Sequence, residues 1–178
     1  LRSRIVHFGF GAFHRAHQAL LTNRVLNARG GDWGICEISL FSGDVLMRQL
    51  RAQDHLFTVL EKGAEGNQPI IIGAVKECLN AKLDSLAAII EKFCEPQVAI
   101  VSLTITEKGY CIDPATGKLD MQNSRILHDL EHPSEPHSAP GILVEALHRR
   151  RERGLPAFTV LSCDNIPDNG HVVKNAVL

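Results

Sequence analysis

Residues 4–17 read RIVHFGFGAFHRAH, and this stretch decides the fold class. Arg4–Phe8 is a short apolar run ending in Gly9-Phe10-Gly11, the pattern of a strand entering a tight turn. From Phe13 to Asn27, apolar residues recur at Phe13, Ala16, Leu20, Leu21 and Val25, a helical spacing that Gly30-Gly31 ends. Strand, glycine turn and helix are the context that a dinucleotide fingerprint requires. Gly9 suits the tight turn and Gly11 lets backbone approach a pyrophosphate. The helix beginning near Ala12 then points free N–H groups at the phosphates. The third glycine of G-x-G-x-x-G is absent, because His14 stands in its place. An ordinary strand-to-helix turn would carry much of the same pattern.

Working outward, Ile35–Phe41 (ICEISLF) reads as a second strand, followed by Ser42-Gly43-Asp44 and a helix to about Ala52. A fingerprint needs an acidic residue where the second strand ends, to accept ribose hydroxyls. Glu37 falls in mid-strand, so Asp44 is the better-placed carboxylate, and its charge favours NAD over NADP. Arg48 and Arg51 soften that preference, and a helix N-terminal aspartate explains Asp44 equally well. Leu56–Leu60 and Ile70–Val75 read as further strands, as in a hairpin. Leu83–Cys94 reads as an amphipathic helix stopped by Pro96.

Val98–Thr106 (VAIVSLTIT) is the longest β-rich run and predicts a strand buried on both faces. Thr104, Thr106 and Glu107 would end it where cofactor and substrate meet. Residues 107–140 are polar and rich in Pro, Asp and His, the signature of a partly irregular insertion. Gly141–Arg153 reads as a helix whose basic end, His148–Arg153, is solvated. Phe158–Ser162 is another strand, and Asp164–Gly170 turns into a last helix. Strands alternating with helices predict an α/β domain, doubly wound around a mostly parallel sheet.

The 178 residues carry a net charge of −1 and a pI near 6.8, which gives no support to a nucleic-acid or anionic-membrane partner. No apolar run approaches spanning length. The five cysteines form no C-x-x-C pair, and most adjoin apolar runs. They read as buried free thiols of a cytoplasmic protein. His14 and His17 stand at helical i, i+3 spacing without an evident third ligand, so no metal is expected. Cys163 has no His nearby in sequence and reads as inert. The stretch VVKNAVL ends at Leu178 without a stop signal, which predicts that the chain continues.

Three long runs, RIVHFGFGAFHRAHQA, VSLTITEKGYCID and FTVLSCDNIPDNG, together resemble the N-terminal signatures of the long-chain mannitol dehydrogenase family. WGICEISL, LEKGAEG, TEKGYCIDPATGKLD and NGHVVKNAVL look closer to its fructuronate reductase (D-mannonate oxidoreductase) branch than to mannitol 2-dehydrogenase. The resemblance implies a Rossmann-type NAD-binding domain over residues 1–178. A helical C-terminal domain beyond it would carry the catalytic lysine. It also implies that His14 regularly replaces the third glycine, that Asp44 is the acidic residue, and that Asn165 donates to a substrate oxyanion. The implied cofactor site is Gly9, Phe10, Gly11, Ala12, Phe13, His14, Arg15, Asp44, Thr104 and Thr106, with His17 beside it. From the residues alone, Asn165 is as readily a turn-forming Asx residue before Pro167.

The expected reaction is NAD-dependent interconversion of a keto sugar acid and its hydroxy form. Fructuronate and mannonate are the leading pair, and a polyol such as mannitol is the alternative. A stand-alone nucleotide-binding module and a methyltransferase of related sheet type are the rivals from other classes. Competition between NAD and S-adenosylmethionine separates the last.

Overall fold

The computed structural model describes residues 1–178. Its centre is a five-stranded sheet in the order β5-β2-β1-β6-β7, with every pairing parallel. The strands are β1 (Arg2–Phe8), β2 (Trp33–Ser39), β5 (Val75–Asn80), β6 (Ile100–Leu103) and β7 (Thr159–Ser162). A separate antiparallel hairpin, β3 (Phe57–Gly63) and β4 (Gly66–Ile72), stands outside the sheet. The hairpin agrees with the sequence reading, but Val75 does not continue it. Gly73-Ala74 breaks the run, and Val75 opens β5, a strand the apolar pattern did not separate.

Period-two alternation assigns each strand's side chains to two faces. Val6, Phe8, Cys36, Ile38, Val101 and Leu103 face one core. Against it pack α4 (Leu86–Phe93), α7 (Ala139–Glu152) and α8 (Asn169–Val177). Ile5, Ile35, Val75 and Cys78 face a smaller core on the other side. It is covered by α2 (Leu20–Arg29), α3 (Asp44–Ala52) and the hairpin. Helices on both faces of a parallel sheet make the chain doubly wound, as the alternating pattern predicts. Two short helices, α5 (Thr106–Gly109) and α6 (Ser124–Glu131), interrupt the irregular segment after β6. No helix is long and apolar enough to cross a membrane.

Two local readings change. The first helix is not one α-helix: α1 (Ala12–His14) passes through a π-helical turn (Arg15–Ala19) into α2. Its buried residues are His14, Ala19, Leu20 and Asn23, whereas Phe13, Leu21 and Val25 are exposed. The extra residue of the π turn shifts the phase on which the apolar spacing was read. The basic end of α7 is also not uniformly solvated. Arg150 is buried and donates to the carbonyl oxygens of Phe93, Glu95, Val98 and Pro156 at 2.8–3.2 Å. Its neighbours Arg149 and Arg153 pair with Glu91 at the surface.

Candidate functional site

Because the sheet is parallel, the C-terminal ends of its strands gather on one edge. From β1 the chain steps outward to β2 and β5, then resumes on the other side of β1 with β6 and β7. The winding therefore reverses between β1 and β6, and the crevice outside such a reversal is where open α/β sheets bind ligands. Three segments meet there: Gly9–Gly11 after β1, Thr104–Thr106 after β6, and Cys163–Asn165 after β7. Gly11, Ala12, Phe13, Thr104, Thr106 and Asn165 line one cleft of about 570 Å³. Asp44 opens α3, just past the end of β2 on the same edge but outside that cleft, with Lys82 Nζ 3.7 Å away. A larger concavity, about 1570 Å³, lies elsewhere, among Leu130, Val144, Leu147 and Leu178, and none of the predicted residues line it.

The two glycines of the turn answer different demands. Gly9 has φ +106°, and a Cβ there would collide with the Thr104 carbonyl oxygen, so β1 and β6 themselves require glycine. At Gly11 φ is −83°, and the nearest atom to an added Cβ would be 3.9 Å away. The protein leaves that space open above the start of a helix that runs continuously from Ala12 to Arg29. An open backbone cradle at a helix N-terminus fits an anionic group brought close to the main chain.

Beyond β6 and β7, Asp164 accepts hydrogen bonds from the Ile105 N–H (3.0 Å), the Thr106 N–H (2.9 Å) and the Tyr110 hydroxyl (2.6 Å). It thereby holds Thr106 at φ +64°, a conformation a β-branched residue rarely adopts. Tyr110 is buried, and burial together with the Asp164 carboxylate pushes its hydroxyl well above the ordinary tyrosine range. The turn-forming amide of this region is Asn169, which donates to the Ser162 and Asp164 carbonyls at 3.3 and 3.1 Å. Asn165 has no such duty; it is exposed beside the cleft, near Glu107 and Lys108. Cys163 is partly buried, and burial with the nearby Asp164 raises its thiol above the usual range, which argues against a nucleophile. The other four cysteines are buried and free, as the sequence predicts.

Two predicted contacts are corrected at the side-chain level. Phe10 is buried against Phe57, with ring centroids 5.6 Å apart, and the Arg15 guanidinium lies over its outer face. His14 also points inward, away from the cleft. Both can offer a ligand only backbone atoms. His17 turns the other way, stacking on Phe13 with its Nδ1 2.7 Å from the Phe13 carbonyl, so His14 and His17 do not converge.

Beneath the turn lies a polar layer that the motif reading missed. Glu37, His7 and Ser102 are register partners across β2, β1 and β6, and all three are fully buried. His14 Nε2 is 2.7 Å from Glu37 Oε1, and its ring stacks on His7 at 3.4 Å between centroids and 14° between planes. His7 Nδ1 is 2.8 Å from Ser102 Oγ, and the Ser102 hydroxyl donates to Gln18. On its other side, His7 Nε2 lies 2.9 Å from Thr104 Oγ1 and 3.1 Å from the Gly9 carbonyl oxygen. Burial and the neighbouring His14 hold His7 well below the usual histidine range, so it is neutral; burial raises the Glu37 carboxyl. Ligand atoms of His7, His14 and Glu37 lie within 4.8 Å of one another. The near-parallel rings, however, set their in-plane lone pairs side by side instead of aiming them at one point. The signal for this layer was present in the sequence: a His inside RIVHF and a Glu inside ICEISL are polar groups on buried strands, and such groups need partners.

Comparison with known proteins agrees with this geometry. Residues 3–178 match the family described as mannitol dehydrogenase Rossmann domain. The chain is 88% identical, over its whole length, to 36% of the Escherichia coli (strain K12) protein named uncharacterized oxidoreductase YeiQ. It is 57% identical, again over its whole length, to 37% of the D-mannonate oxidoreductase of the same organism. Among solved structures, 99% of the chain superposes on 36% of Pseudomonas fluorescens mannitol 2-dehydrogenase in its ternary complex with NAD and D-mannitol. The TM-score there is 0.93 and the identity 46%. The chain thus spans little more than a third of the length of the relatives it matches.

Proposed function

The chain belongs to the mannitol dehydrogenase family, and from that premise we propose that it is the NAD-binding domain of an oxidoreductase interconverting a keto sugar acid and its hydroxy form. The observation that carries the cofactor reading is the open cradle at Gly11, where the protein itself has no steric need for glycine. The 57% identity to D-mannonate oxidoreductase supports fructuronate and mannonate as the leading pair. A second, helical domain after residue 178 would complete the enzyme and supply the proton-transferring lysine.

In this reading the backbone of Gly11, Ala12 and Phe13 receives the pyrophosphate at the helix N-terminus. Asp44 accepts the ribose hydroxyls, and its charge disfavours a 2′-phosphate. Thr104 and Thr106 flank the place where cofactor and substrate meet. The bound nicotinamide supplies or takes the hydride. Reduction of a ketone builds negative charge on its oxygen, and the exposed amide of Asn165, which lines the cleft, would donate to that charge.

Calorimetric titration with NADH and NADPH tests the cofactor half. NADH is expected to bind at least tenfold tighter, a difference of about 1.4 kcal/mol. Equal affinity removes Asp44 from the reading, and no binding by the full-length gene product removes the reading itself. Turnover with mannonate and mannitol tests the substrate half, and activity on mannitol alone would move the proposal to the polyol branch. Residues 1–178 alone are expected to turn over neither.

A further inference from the structure

The standard fingerprint places a third glycine early in the helix so that helix and strand can pack closely. In this chain that position is His14, and its side chain fills the interval between helix and sheet instead. The ring lies flat on His7 of β1 at 3.4 Å and reaches sideways to Glu37 of β2 at 2.7 Å. Both side chains have no exposure. They are linked to the turn from below, since His7 touches the Gly9 carbonyl oxygen and Thr104 Oγ1. One helical turn later Gln18 meets Ser102 of β6, so beside its apolar packing the helix start meets three adjacent strands through these side chains.

A buried carboxylate is expensive unless paired, so its presence under the turn needs a reason beyond packing. An aliphatic residue would suit a strand otherwise flanked by Ile35, Cys36 and Ile38. The one partner of Glu37 is the residue that replaces the third glycine. Glu37 Oε2 and His14 Nδ1 have no partner in the protein, so the pair is not optimised as a stabilising network.

We propose that Glu37 and His14 form a positioning pair that fixes the helix N-terminus over the glycine turn, doing by a buried hydrogen bond what a third glycine does by close packing. Neither side chain touches the cleft; they act through the backbone of residues 11–14 and through His7 on the Gly9 carbonyl. The proposal rests on the cofactor reading above.

The test is NADH affinity of the full-length gene product and five variants, with kcat at saturating NADH and melting temperature measured alongside. Glu37→Val, which strips His14 of its acceptor, is expected to weaken NADH about tenfold or more, the order of effect of losing a buried hydrogen bond. Glu37→Gln, which keeps an oxygen for His14 Nε2, is expected to restore most of that affinity. His14→Gly completes the three-glycine pattern yet is expected to bind NADH at least tenfold more weakly, because it leaves Glu37 buried and alone. His14→Gly combined with Glu37→Val is expected to bind better than His14→Gly by itself. In each case the loss is expected to fall more on NADH affinity than on kcat at saturating NADH, the pattern of lost uniform binding.

Glu77→Gln, which breaks a surface-linked pair with Lys92 far from the turn, is the stability control. If it weakens NADH as much as Glu37→Val does at a similar loss of melting temperature, the pair is only part of the core. Wild-type affinity in His14→Gly and Glu37→Val would likewise overturn the proposal. Failure of the folded wild type to bind NADH would instead sink the cofactor reading.

Discussion

Arg150 and the His14–Glu37 pair are ionisable groups buried in one α/β core, and they are satisfied to different degrees. Arg150 sends its guanidinium N–H groups to four carbonyl oxygens, and its ring-stacking neighbour Phe158 lies 5.5 Å away. Those carbonyls belong to the end of α4 and to the segments feeding β6 and β7, at the edge of the sheet remote from the cleft. The pair under the glycine turn leaves one ring nitrogen and one carboxylate oxygen without a protein partner. The Arg150 guanidinium is thus fully bonded, while the pair under the glycine turn keeps unsatisfied polar atoms next to the ligand crevice. That division is expected where stability and function are drawn from opposite ends of one sheet.

The contrast can be broken most forcefully at Arg150. Arg150→Met leaves four carbonyls without their donor, those of Phe93 and Val98 buried, and a loss on the order of 4 kcal/mol is expected in urea unfolding. NADH affinity of whatever folds should be unchanged, and a loss of affinity at full occupancy of the fold would erase the distinction between the two edges.

The glycine turn gives the converse case. Gly9→Ala places a Cβ against the Thr104 carbonyl in a left-handed conformation, and a cost of about 2 kcal/mol or more is expected. Gly11→Ala meets only the Gly9 carbonyl oxygen, at an ordinary 3.9 Å, so its melting temperature should match wild type while NADH affinity falls by roughly tenfold or more. Equal stability of the two variants would mean that the turn is looser than its contacts imply.

The smallest effect sharpens the comparison from a third buried group. Tyr110 is buried behind the cleft-lining Asp164, and its hydroxyl is bonded to Asp164 and Ser162. Tyr110→Phe should cost about 1 kcal/mol. The raised phenol also has a pH signature. Its contribution to stability is complete below the unfolded tyrosine value near 10 and is lost as pH rises from there toward the raised folded value. Since Tyr110 is the single tyrosine of the chain, ultraviolet titration reads it alone. Tyrosinate absorbance appearing near pH 10 in folded protein would contradict the buried hydrogen bond to Asp164.

The strands and helices were legible where periodicity and glycine punctuation agree, as in β1, α3 and β7. Strand β5 was not, because VKECLN has no apolar run and only Gly73-Ala74 separate it from the hairpin. Local sequence placed the glycine turn, Asp44 past β2 and Thr104 at a strand end; Thr106, read as closing that strand, instead opens α5 because β6 stops at Leu103, and Asn165 drew its role from the family resemblance. Local sequence could not show which way His14 and Phe10 face, nor that Glu37 meets a residue 23 positions earlier. Those facts depend on strand register and helix phase, which no window of the sequence contains. Arg150 was read with its basic neighbours for the same reason: one residue of the run turns inward, and composition is blind to direction.

The π-helical turn at Arg15–Ala19 amounts to an α-helix carrying one surplus residue. The wide turn takes up that residue without advancing the winding, so His14 keeps its place on Glu37 while Ala19 and Leu20 keep theirs in the core. Removing one residue from the turn would restore regular winding with both flanks in phase, whereas removing one from α2 would swing everything beyond it about 100° around the axis. A single-codon deletion is therefore tolerable in one place only: the stretch between the glycine turn and α2 holds the helix's one spare unit of length.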